Sequence, residues 1–123
     1  MFASTTIIAS PTTEDVIKQI KQAPPEIQKV AWCESRWKQF DDKGNLIRGK
    51  AGEVGLLQYL PSTWSAWNWS RKLEGLTQLN IGVASHQIEM TKWAWANGIN
   101  YKSQWTCYRH LFMDEKLSYS GDR

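Results

Sequence analysis

The chain has 123 residues, a formal net charge of +3, 41% hydrophobic and 22% charged residues. That is enough for one compact domain and too apolar for a disordered chain, while Lys and Arg are too few and too scattered for nucleic-acid binding. No run is long and apolar enough to span a bilayer, so no stable membrane insertion is expected, and the eight Trp require either a Trp-rich core or exposed aromatic platforms.

Residues 1–10 read as a flexible N-terminal segment; they are apolar but short and lack the basic start of a signal peptide. Ser10-Pro11 reads as a helix cap followed by Pro at the first helical position, with Glu14 and Asp15 in the first turns. Val16, Ile17 and Ile20 give an apolar stripe, so a short helix is predicted to about Gln22. Ala23-Pro24-Pro25 ends it and starts a second helix, from Glu26 to about Arg36.

That second helix carries Glu34 on its apolar side. Ala31, Val30 and Ile27 lie three, four and seven residues before Glu34, so all four share one stripe. Burial disfavours the charged form of a carboxyl, and the negative end of the helix dipole opposes ionisation further. Both effects favour a carboxylic acid that keeps its proton near neutral pH, as a general acid must. The plainer alternative is a partly buried Glu bonded to a backbone amide or to Arg36.

From Phe40 to Gly49 turn residues stand between short apolar flanks, predicting a small β-hairpin with its turn near Asp42 to Asn45. Gly55-Leu56-Leu57-Gln58-Tyr59-Leu60 is predicted as a short helix. Pro61-Ser62-Thr63-Trp64 starts another, with Trp64 and Trp67 on one face as core aromatics. Ser70 to Gly75 reads as a loop. Thr77 is placed as the cap of a long helix from about Gln78 to Ala96, ended by Asn97-Gly98, with Ile81, Ala84, Ile88 and Trp95 buried and His86 exposed and non-catalytic. The folded domain is thus bounded at residues 11–112, and residues 113–123 form a polar tail.

Two Cys, Cys33 and Cys107, have no metal-ligand spacing, and no metal is expected. Counting leaves two options open: one disulfide, with an oxidising compartment, or two buried thiols.

Three pieces now stand in order. Cys33-Glu34-Ser35 ends a helix; Gly55-Leu56-Leu57-Gln58 leads into Pro61-Ser62-Thr63-Trp64; Asn80-Ile81 follows. This set resembles the soluble lytic transglycosylase (SLT) family of the lysozyme-like superfamily, over residues 14 to 108. Gln39 to Asn45 is similar to the hairpin of its small members, and Trp105-Thr106-Cys107 to their closing segment. The resemblance implies an α+β, mainly α, lysozyme-like fold with a small β-hairpin after the catalytic-Glu helix. It implies Glu34 as the single catalytic acid/base, with Ser35, Gln58, Tyr59, Asn80 and Tyr101 as the substrate-binding set, and it pairs Cys33 with Cys107. It implies no cofactor, a peptidoglycan glycan strand as partner, a monomer, and a periplasmic or extracellular location.

The reaction so implied cleaves the β-1,4 link between N-acetylmuramic acid and N-acetylglucosamine and closes a 1,6-anhydromuramoyl ring. Many glycosidases add a second carboxylate. The candidates, Asp41, Asp42 and Glu53, are a turn pair and a flanking residue. They leave a goose-type lysozyme hydrolase as an alternative enzyme, and an inactive glycan-binding module as an alternative of another class.

Overall fold

The computed structural model describes residues 12–99 and 104–114. Four helices carry the fold: α1 (Thr13–Lys21), α2 (Pro25–Ser35), α3 (Pro61–Leu73) and α4 (Ala84–Ala96). A single turn, α5 (Thr106–Tyr108), runs on into a π-helical turn at Arg109–Asp114. The chain is mainly α.

Helix α1 begins slightly later than Ser10-Pro11 suggests. Thr12 is the cap, its hydroxyl accepting from Asp15 N at 3.1 Å while the Asp15 carboxylate accepts from Thr12 N at 2.9 Å. This reciprocal box satisfies two backbone donors that a helix start leaves free. Val16 and Ile20 face inward, and α1 packs on α2 and α4. Helix α2 starts at Pro25, where a missing N–H costs nothing, and stops at Arg36, whose φ of 58° is left-handed.

Between α2 and α3 the predicted hairpin exists only as isolated antiparallel bridges, Phe40↔Leu46, Arg48↔Val54 and Val54↔Tyr59. The first closes the expected turn: Asp41 Oδ1 accepts from Lys43 N and Asn45 N, and Gly44 takes a φ of 84°. Residues 55–58 are a tight turn rather than the predicted short helix, with Gln58 at a φ of 49°. The apolar run that suggested a helix is apolar because it is buried, not because it is periodic.

Helix α3 continues through Leu73, past the predicted loop start at Ser70, because Arg71 turns inward. Its Nε and Nη2 donate to Thr77 O at 3.0 and 2.8 Å and give the following loop an anchor. Helix α4 begins at Ala84, not near Gln78. Residues before it are held by Asn80, whose Oδ1 accepts from Gly82 N at 2.8 Å. Such local bonding competes with helix formation. The C-terminal end at Asn97 and left-handed Gly98 is as expected.

The Trp excess is largely core. Tyr59 meets Trp64, Trp67 and Trp105 edge-to-face at 4.8, 5.7 and 5.2 Å, the geometry that aromatic quadrupoles favour. Trp32 and Trp69 are the exceptions and stand exposed. No helix among the described residues is long and apolar enough to cross a membrane.

Candidate active site

The stripe read from sequence is buried as expected: Ile27, Val30 and Ala31 are all closed to solvent. Glu34, one turn further on, is half-buried. Burial pushes its carboxyl from 4.5 up to about 7, and the nearby Glu53 carboxylate adds to the rise. One contact opposes it: Cys107 N donates to Glu34 Oε2 at a long 3.4 Å. Arg36 is not its partner. The guanidinium turns away, donating to Trp32 O at 2.7 Å and lying 5.4 Å above the Trp32 ring. Among the described residues Glu34 is therefore a carboxyl without a cation, poised to gain or lose a proton near neutrality.

Cys33 and Cys107 form a disulfide with Cα atoms 6.0 Å apart. It ties the chain neighbour of Glu34 to the residue whose N–H reaches Glu34.

Ser35 steadies the site by holding its scaffold. Its Oγ lies 2.6 Å from Leu56 O and 3.1 Å from Ala31 O, and accepts from Lys38 N at 3.2 Å. With its hydroxyl so engaged, it latches α2 to the 55–58 turn.

That turn is pinned at almost every backbone group. Gly55 N donates to Ile47 O at 2.9 Å and Gln58 N to Gly55 O at 3.1 Å. Leu56 N donates to Gln39 Oε1 at 2.7 Å, and Leu57 N to Gln87 Oε1 at 2.8 Å. Trp105 Nε1 donates to Leu57 O at 2.6 Å, and Gln104 Nε2 to Gln58 O at 3.0 Å. A buried loop must satisfy its amides somewhere, and here side chains from four other segments do so. Gly55 is required for a steric reason as well: a Cβ there would sit 2.5 Å from Gln87 Nε2 and 2.6 Å from Gln39 Oε1.

Gln58 and Glu53 converge. A Cβ on Gly49 would collide with Glu53 Oε1 and lie 2.6 Å from Gln58 Oε1, so the missing side chain leaves room for both polar ends. Gln58 Nε2 donates to Gly55 O at 3.0 Å, and Glu53 Oε1 accepts from Ala51 N at 2.9 Å. Glu34, Glu53, Gln58 and Cys107 thus form one polar cluster beside the turn.

Two predicted ligand residues are engaged within the fold. Tyr59 is fully buried, its hydroxyl 2.8 Å from Thr91 Oγ1, and is a core residue rather than a cleft wall. Asn80 is exposed but engaged with its own turn, its N–H donating to His86 Nδ1 at 2.9 Å. His86 is half-buried by that role, not fully exposed as expected. Tyr101 lies outside the described residues. Asp41 is likewise committed to its turn. A groove of about 630 Å³ runs along the hairpin, lined by Asp41, Asn45, Leu46, Ile47 and Arg48.

Sequence alone gives Gln39, Gln87 and Trp105 no role as site-builders, although Gln39 and Trp105 lie in segments that carry the resemblance. Gln87 had a usable signal: it falls on the α4 stripe with Ala84, Ile88 and Thr91, a polar residue on an apolar face, as Glu34 does on α2. Gln39, in irregular chain, offered none.

Neither protein-family models, curated proteins nor solved structures give a match to this chain.

Proposed function

We propose that this chain is a peptidoglycan lytic transglycosylase of lysozyme-like fold, with Glu34 as its single general acid/base. The observation that carries the reading is the Glu34 carboxyl, raised to about 7 by burial and, among the described residues, left without a cation. Further support comes from the resemblance of its ordered motifs and from the disulfide beside the site, which fits an oxidising, cell-wall-facing compartment.

In this mechanism protonated Glu34 gives its proton to the glycosidic oxygen as the bond from the muramyl C1 breaks. Positive charge gathers on the sugar. The carboxylate left behind faces that charge and then takes the proton of the muramyl C6 hydroxyl as its oxygen closes on C1. One C–O bond breaks, one forms, and the proton returns to Glu34; no water is consumed. Gln58, fixed by its own amide bond to the turn, is the side chain we assign to hold the strand beside Glu34.

A second reading is favoured by one observation, the electrostatic influence of Glu53 on Glu34. A second carboxylate within electrostatic reach of the acid can serve as the base that activates water, giving a goose-type hydrolase. Purified cell walls test both. Glu34→Gln should abolish turbidity loss; undiminished clearing sinks either version. Mass spectrometry of the released muropeptides then separates them, because anhydro ends are lighter than reducing ends by one water.

A further inference from the structure

Helix α2 has a second functional-looking face, opposite Glu34. Pro25, Lys29, Trp32 and Arg36 follow one another at spacings of four, three and four, so they form a stripe on the far side from Ile27, Val30, Ala31 and Glu34. With Trp37 and Leu111 they line a groove of about 520 Å³, within the range of ligand pockets.

Three features set it apart from ordinary surface. Trp32 is 51% exposed although burial of an indole is strongly favourable. Arg36 and Trp37 hold φ values of 58° and 65°, a left-handed pair without a glycine, and such strain in non-glycine residues is typically retained at functional positions. The ionisable side chains that line the groove, Lys29 and Arg36, are cations. Among the described residues Lys29 has no ion-pair partner, and Arg36 bonds only carbonyls.

The polar groups around the groove are largely spent within the chain. Trp37 Nε1 donates to Gln28 O at 2.9 Å, Gln28 Nε2 to Ala23 O at 2.8 Å, and Arg36 Nη1 to Trp32 O at 2.7 Å. A sugar, which needs several free hydrogen-bonding groups, is poorly served. An apolar side chain flanked by carboxylates is well served. Trp and Arg are also the residues that dominate binding energy at protein interfaces.

We infer that the Trp32–Trp37 groove docks an acidic peptide segment of a partner protein, anchored by one large apolar side chain between Lys29 and Arg36. This goes beyond the catalytic reading and does not depend on it.

The test is NMR titration of the full chain, following the indole N–H signals of Trp32 and Trp37. The probes are the peptide Asp-Glu-Leu-Phe-Glu-Asp, its neutral counterpart Asn-Gln-Leu-Phe-Gln-Asn, and chitotetraose. The acidic peptide should shift both indoles, bind about tenfold more weakly to Lys29→Glu, and weaken with added salt. Trp32→Ser, a change at an exposed side chain, should lose binding while leaving the fold intact by circular dichroism. No shift with the acidic peptide, equal binding of the neutral one, or indole shifts with chitotetraose alone would overturn the inference. So would self-association abolished by Trp32→Ser, which assigns the groove to a second copy. Binding that appears only after residues 115–123 are removed would assign it to the chain's own end.

Discussion

The backbone N–H of Cys107 reaches Glu34 Oε2 at 3.4 Å, and the disulfide from Cys107 to Cys33 holds it there. The bond lowers the Glu34 pKa against the larger effect of burial. Replacing both cysteines by Ser should therefore raise the Glu34 midpoint above about 7. NMR of the labelled carboxyl reads this directly; a fall would mean that water entering the site outweighs the lost N–H. The same variant should lose about 4 kcal/mol of stability in urea, the loop-entropy value for a closure of this length.

Glu34 should also cost the fold stability above neutral pH. Its folded pKa, about 7, lies above the ordinary 4.5. Between those values the folded state binds more protons than the unfolded one, so stability falls as pH rises through this window and levels off above it. Glu34 is partly exposed, and after allowing for solvent screening the cost is about 1–2 kcal/mol. Glu34→Gln should then be more stable than the parent by about that amount at pH 8 and not at pH 4. Equal urea midpoints of the pair at both pH values would contradict the burial argument.

Glu34 was legible because a helix converts spacing into a face, and Ile27, Val30 and Ala31 fixed which face was buried. The end of α4 was legible because Asn97-Gly98 is local chemistry. Its start was not: the Asn80 side chain and His86 ring hold residues 80–82 in a turn that no periodicity announces. The 55–58 turn was misread as helix for a related reason. Its stability comes from Gln39, Gln87 and Trp105, which are distant in sequence, so an apolar run viewed alone cannot report it. Tyr59 illustrates the same gap at the site: a motif position says where a residue stands in the chain, whereas its partners Thr91, Trp64 and Trp67 decide that it points into the core.

Gln87 should be among the most sensitive positions in the protein. It is fully buried, accepts from Leu57 N at 2.8 Å, and donates to Val54 O at 3.0 Å and Ile81 O at 2.8 Å. Gln87→Leu leaves the buried Leu57 N–H unpaired and takes the donor from the part-buried Ile81 carbonyl; Val54 O keeps its bond from Tyr59 N. The expected loss is about 1–3 kcal/mol, chiefly from the orphaned Leu57 N–H. Denaturant unfolding measures it. Gln87→Glu, which keeps the acceptor for Leu57, should recover Leu57 amide protection in hydrogen exchange but not full stability.

Glu53→Gln separates the two catalytic readings. Removing its charge removes a cause of the raised Glu34 pKa, so the Glu34 midpoint should drop below about 7. It should stay well above 4.5, because burial is the larger cause and is untouched. If Glu34 works alone, Glu53→Gln still releases anhydromuropeptides, and the alkaline limb of the pH–rate profile moves down with the Glu34 midpoint. If Glu53 activates water, the parent releases reducing ends and Glu53→Gln loses about 10²–10⁴-fold in rate, as expected for removal of a general base. Gly49→Ala provides a check at the same place. The new methyl would collide with Glu53 Oε1 and crowd Gln58 Oε1, so it displaces both side chains without changing any charge. A lone-acid enzyme should then lose rate through misplaced Gln58 while keeping its anhydro product, whereas a two-carboxylate enzyme should lose turnover to the extent that Glu53→Gln does.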